Sequence, residues 1–128
     1  MTKGFLYTAN RQKFLNEALV SVRSLKRFNN EPVCVVCGPT LKNNPDLEIF
    51  DKVIVVEEIE KYTYWAKIIG MENSPYDKTI FLDTDTFITD SLSEVFEVLD
   101  LVDIAATSEP SMHTTNFKNL YTSMFFQN

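Results

Sequence analysis

The sequence predicts an α/β fold with a mostly parallel sheet and helices on both of its faces. Three observations carry this. Short runs that are apolar throughout, at residues 33–37, 53–56 and 80–82, read as strands buried on both faces. Segments of helical period lie between them, the alternation of a doubly wound sheet. The chain has 128 residues, enough for one domain, and 45% of them are apolar with Phe alone supplying 10, so a packed core needs no disulfide staples.

Residues 4–9, Gly-Phe-Leu-Tyr-Thr-Ala, form the first strand, and Asn10 ends it and can cap the helix that follows. From 11 to 28 the period changes. Leu15, Ala18, Leu19, Val22 and Leu25 recur at i, i+3, i+4, i+7 and i+10, one helical face, with Arg11, Lys13, Arg23, Lys26 and Arg27 off it. Asn29, Asn30 and Pro32 break that helix, and residues 33–37 are the second strand, closed by the Gly38-Pro39 turn. Residues 45–50 suit one short helix. The third strand, 53–56, ends at Glu57 and Glu58. A helix over 64–72 is apolar at Trp65, Ile68, Ile69 and Met71, and Asn73, Ser74 and Pro75 stop it. Residues 79–83 are the central strand. Phe87 and Ile88 read as a brief extended piece. Ser91 and Glu94 have the spacing of a capping box, ahead of a helix buried through Leu92, Val95, Phe96 and Leu99. Residues 103–107 are a further strand, and 111–128 show no period.

Composition excludes several classes. A net charge of −6 disfavours a nucleic-acid partner, which calls for a basic face. No apolar run reaches the roughly 18 residues of a membrane helix, and the first residues do not resemble a signal peptide, so the expectation is a soluble, cytoplasmic domain with no membrane partner. Cys34 and Cys37 spell C-x-x-C, but within a strand they point to opposite faces and cannot bridge. A zinc site would need further ligands, and His113 is the only histidine. Buried, reduced thiols are the expectation.

The chemistry concentrates at Asp83-Thr84-Asp85, directly after Ile80-Phe81-Leu82. In extended backbone, residues i and i+2 face one side with roughly 6–7 Å between their Cα atoms. Two ionised carboxylates placed so repel each other, and a buried pair would need a cation or a proton to persist. A hard dication, Mn²⁺ or Mg²⁺, takes such oxygen ligands together with phosphates and water. The plainer alternative is a turn in which both aspartates cap amides. Ligands of parallel sheets sit beyond the carboxyl ends of the strands, so residues 7–10, 37–39, 56–58 and 83–85 are expected to converge on one crevice.

Residues 74–86, Ser-Pro-Tyr-Asp-Lys-Thr-Ile-Phe-Leu-Asp-Thr-Asp-Thr, closely resemble the donor-site segment of GT-A-fold glycosyltransferases, notably the glycogenin-like families that use nucleotide sugars. There a proline-tyrosine turn leads into a strand ending in Leu-Asp-x-Asp. The resemblance takes in residues 5–10, the helix carrying Lys67 and the strand at 103–106. It implies a Rossmann-like GT-A fold forming a single donor domain over residues 1–128, with the acceptor region largely absent. The implied activity is metal-dependent transfer from a UDP-hexose to an unknown acceptor. Asp83 and Asp85 would hold Mn²⁺ or Mg²⁺, with Asp83 also near the ribose. Tyr7, Thr8, Ala9 and Asn10 would line the nucleoside pocket, Tyr7 stacking on the base, and Thr84 would present its backbone to the ribose. Lys67 would face the diphosphate, with Lys13 a second phosphate candidate and Glu57 and Glu58 at the edge of the base pocket. Relatives also carry a third metal ligand, usually a histidine. His113 is the candidate for that role here, and Glu109 for acid or base. Two other functions compete: a nucleotide-sugar-binding module with no or only hydrolytic activity, and a haloacid-dehalogenase-type phosphatase with Asp83 as nucleophile and Asp85 as acid/base. The phosphatase needs the motif on the first strand. Finally, Leu120, Tyr121, Met124, Phe125 and Phe126 form an apolar stretch that suggests a homodimer interface.

Overall fold

β1 (Lys3–Ala9) runs through the centre of a sheet, parallel to β2 (Val33–Cys37) on one side and to β4 (Lys78–Leu82) on the other. β3 (Lys52–Val55) pairs parallel with β2 at one edge. β6 (Tyr121–Gln127) runs antiparallel between β4 and β5 (Ile104–Ser108), giving a six-stranded sheet of order β3-β2-β1-β4-β6-β5. This computed structural model describes residues 1–108 and 121–127, and for 108 and 121–125 the backbone alone. Glu109, His113 and Leu120, singled out above, lie outside the described residues.

The period-2 alternation of the strands divides the interior in two. Phe5 and Tyr7 of β1 with Val33, Val35 and Cys37 of β2 face α1 (Gln12–Leu25), which contributes the expected Leu15, Ala18, Leu19, Val22 and Leu25. Leu6, Cys34, Val36 and Phe81 face the other way, onto Ile59, Ala66 and Tyr76. Each fully buried Leu, Val or Phe side chain contributes about 1.5–3 kcal/mol, so these alternating faces hold the sheet between its helices. Cys34 and Cys37 fall in different clusters and are free and buried, as their strand spacing required. Burial pushes the Cys34 thiol up to about 12.

Several elements differ from the sequence reading. A short helix, α2 (Glu58–Lys61), follows β3, where Glu57 and Glu58 were expected only to close the strand; its Ile59 is fully buried. α3 (Ala66–Glu72) begins two residues later than the sequence suggested; Trp65, just before it, and Ile68 face outward, at 63% and 52% exposure, and Ala66 and Gly70 are buried instead. It lies so close to β1 that only small residues fit between them. Val53 and Val55 are partly exposed because β3 is an edge strand. The Ser91–Glu94 capping box does not form. Ser91 Oγ accepts from the Ser93 amide at 3.3 Å, the Leu92 amide donates to Asn29 Oδ1 at 2.7 Å, and α4 (Val95–Val98) begins after Glu94. Phe87 and Ile88 form no strand; Ile88 is buried and Phe87 exposed. The stretch that suggested a homodimer is largely β6, an interior strand, and Phe126 packs against the second core cluster. That backbone is paired on both sides without a second copy.

Asp51 joins three elements. Its carboxylate accepts from the Val33 amide at 2.8 Å and from Lys26 Nζ at 3.2 Å, while its own amide donates to the Val33 carbonyl at 2.8 Å. Burial pushes this carboxyl up, but the Val33 amide and Lys26 outweigh it and hold the group below its ordinary value. A depressed folded pKa means that the unfolded chain takes up the proton first. Stability should therefore be complete above the ordinary Asp range, about pH 4, and fall as the pH drops through the folded value. Asp51→Asn is expected to flatten the pH dependence of the urea midpoint in that acid window. An unchanged slope would show that the clamp adds nothing.

Candidate donor site

The carboxyl ends of β1 and β4 lie side by side, and above them opens a cavity of about 320 Å³, within the range of small-molecule sites. β1 supplies Thr8 and Asn10 to its wall, α1 supplies Lys13, Phe14 and Glu17, and the start of α3 supplies Ala66 and Lys67. Asp83, Thr84 and Asp85 complete it. Asp83 follows the last residue of β4, and Thr84 and Asp85 form a turn. The Thr86 amide and Thr86 Oγ1 both donate to the Asp83 carbonyl, at 3.2 and 2.7 Å. The aspartates are thus not successive same-side residues of one extended strand. The turn nevertheless places both on the same cavity.

The turn is held from α1 by residues that the apolar stripe did not reveal. Thr84 Oγ1 donates to Glu17 Oε2 at 2.9 Å. Ser21 Oγ lies 2.9 Å from Thr86 Oγ1 and 2.7 Å from the Tyr7 hydroxyl, and Ser24 Oγ accepts from the Ile88 amide at 2.9 Å. Glu17, Ser21 and Ser24 stand at i, i+4 and i+7, a second face beside the apolar one. That spacing was visible in the sequence; what it served was not. Buried hydroxyls require partners, and here each partner fixes the segment that carries the aspartates.

No protein-family model and no curated protein matches this sequence. Solved structures do. The apo-form glycosyltransferase GlyE of Streptococcus pneumoniae TIGR4 superposes on 100% of the chain with a TM-score of 0.69 at 17% identity. The galactosyltransferase LgtC, solved with donor and acceptor sugar analogues, covers 97% at a TM-score of 0.63 and 13% identity. Mouse xyloside xylosyltransferase 1 covers 99% at 0.62 and 12%. The chain has the GT-A fold. It spans 34% of the length of GlyE and 57% of LgtC.

Within this GT-A fold the expected site residues separate into two groups. Thr8, Asn10, Lys13, Lys67, Asp83, Thr84 and Asp85 share the cavity. Tyr7 and Ala9 do not. Both are fully buried in the core beneath α1, and the Tyr7 ring meets Phe50 edge-on at 6.2 Å, so it cannot stack on a base. Its role is the hydroxyl contact to Ser21, and burial pushes that hydroxyl up to about 12. The ends of β2 and β3 also stay out of the cavity. Glu60 of α2 accepts from the Thr40 amide at 2.8 Å and covers Gly38, while Glu57 and Glu58 are exposed. The motif follows the fourth strand, so the phosphatase arrangement, which needs it on the first, does not hold.

The electrostatics centre on one pair. Lys67 Nζ lies 2.5 Å from Asp83 Oδ1, with Asp83 16% exposed and Lys67 59%. Among the described residues no group of three or more His, Cys, Asp or Glu side chains is arranged to hold a metal. Mg²⁺-type sites commonly use one or two carboxylates, with phosphate oxygens and water completing the shell. Asp83 and Asp85 are two such carboxylates on one cavity, which Lys13 and Lys67 also line. No helix among the described residues is long and apolar enough to cross a membrane.

Proposed function

We propose that this domain binds a nucleoside diphosphate sugar, a UDP-hexose, together with Mn²⁺ or Mg²⁺, and transfers the hexose to an acceptor. One observation carries the reading: the turn after β4 aims Asp83 and Asp85 into the cavity where Lys67 and Lys13 also lie. Asp83 and Asp85 would hold the dication, which supplies charge neutralisation for the departing diphosphate. Lys67 adds a cation beside Asp83, and Lys13 lines the same cavity for a further phosphate contact. Thr8 and Asn10 form the wall against which the nucleoside would rest, and Thr84, fixed by Glu17, keeps the turn in register. Support comes also from the fold, since GlyE, LgtC and the mouse xylosyltransferase are glycosyltransferases by name and LgtC was solved with donor and acceptor sugar analogues.

Calorimetric titration of UDP, GDP and ADP, with and without Mn²⁺, tests the reading. The expected result is UDP binding that appears with Mn²⁺ and is lost on chelation. No nucleotide binding under any condition would reject the donor site. Nucleotide binding without sugar transfer across a panel of glycan acceptors would reduce the function to a donor-binding module.

A further inference from the structure

We propose that Lys67 is a placeholder for the metal. Its ammonium holds the Asp83 carboxylate until a dication arrives with a nucleoside diphosphate, and then passes to the diphosphate. The inference rests on the donor-site reading above and adds to it a coupling between metal and nucleotide.

The two partners differ in their freedom to move. The backbone of Asp83 is fixed, because its carbonyl receives both the amide and the hydroxyl of Thr86, and its side chain is only 16% exposed. Lys67 is more than half exposed, and α3 packs on the sheet through Ala66 and Gly70 rather than through it. Its flexible stem can swing without unpacking the helix. A dication and an ammonium on one carboxylate repel each other by a few times thermal energy at about 4 Å even at high dielectric, so each weakens the hold on the other. A dication at Asp83 therefore loosens the hold on Lys67 and frees its ammonium for another partner.

What Lys67 gains on leaving decides the order. A free dication offers it nothing and must overcome the ion pair. A dication with a diphosphate gives the displaced ammonium phosphate oxygens as new, charge-assisted partners. Lys67 thus disfavours the bare cation and favours the cation with its nucleotide. By linkage, the nucleotide raises metal affinity as much as the metal raises nucleotide affinity. Lys13 lines the same cavity but lies over the Phe14 ring, 5.7 Å from its centroid, and does not hold Asp83.

The test is titration of MnCl₂ alone, and of UDP in saturating Mn²⁺, into wild type, Lys67→Met and Lys67→Arg. Asp83→Asn reports Mn²⁺ bound elsewhere on the acidic surface, to be subtracted. Lys67→Met is expected to bind Mn²⁺ alone about fivefold more tightly than wild type, the upper worth of an exposed ion pair. The same variant should bind UDP with Mn²⁺ about tenfold more weakly, through loss of a charged hydrogen bond. Lys67→Arg should stay near wild type with Mn²⁺ alone. If Lys67→Met leaves Mn²⁺-alone affinity unchanged or lowers it while wild type binds UDP with Mn²⁺, the placeholder is overturned and the donor site stands. If wild type binds no nucleotide, the donor reading itself fails, and the placeholder with it.

Discussion

Asp85→Ala is expected to abolish Mn²⁺-dependent UDP binding and leave the fold intact. Asp85 is exposed at a turn whose hydrogen bonds run through the Asp83 carbonyl, the Thr86 amide and hydroxyl and the Thr84 hydroxyl. Substitutions at such surface positions usually stay within about 0.5 kcal/mol, so the thermal midpoint should hardly move. Losing one of the two carboxylates that fit a dication should instead cost at least about 100-fold in UDP affinity, close to 3 kcal/mol. Asp83→Ala should lose binding as completely, because its backbone continues to hold the turn while its carboxylate is gone. The two variants separate in one respect: only Asp83→Ala strands Lys67 without its ion pair. Calorimetry with UDP and Mn²⁺, paired with thermal unfolding of each variant, checks both halves. Wild-type UDP affinity in Asp85→Ala would remove that side chain from the donor site.

The parts of this fold that are legible in the sequence are those governed by local pattern. β1, β2 and β4 are short apolar runs buried on both faces, and they read as such. The same pattern at β3 misleads, because an edge strand is open on one side whatever its composition. β6 carries no usable period, since its place between β4 and β5 is set by pairing with strands far away in sequence. The site divides in the same way. Asp83, Asp85 and Lys67 belong to a recognisable segment and helix, and they do meet. Ser21 does not announce itself: it lies 65 positions from Thr86, its partner, and a serine beside an apolar stripe looks like an ordinary surface residue until that partner is known. Tyr7 departs from its expected place for the converse reason. A strand residue next to the site can point away from it, and the alternation sends Tyr7 under α1 while Thr8 faces the cavity.

Gly70→Ala should be the most damaging single methyl in the molecule's α3 contact, although alanine is the better helix former. A Cβ at position 70 would stand 1.9 Å from Thr8 Cγ2 and 3.3 Å from Thr8 Cβ. Helix propensity favours alanine by about 1 kcal/mol, whereas overpacking a tight contact costs about 1–3 kcal/mol. The clash here is severe, and the threonine is β-branched and stiff at χ1, so relief demands either an off-rotamer Thr8 or a helix lifted from β1. The net expectation is a loss of about 2 kcal/mol in urea unfolding. Thr8→Ser removes the methyl that is struck. The double variant Gly70→Ala/Thr8→Ser should therefore recover most of the loss, a coupling that two independent sites would not show. Function should follow the helix. Thr8 is a wall of the cavity and Lys67 rides on α3 one turn before Gly70, so a lifted α3 draws Lys67 from Asp83 and weakens UDP binding with Mn²⁺ in Gly70→Ala. Restored binding in the double variant would tie the spacing of this helix to the donor site. Strictly additive costs would show instead that the Gly70–Thr8 contact does not set that spacing.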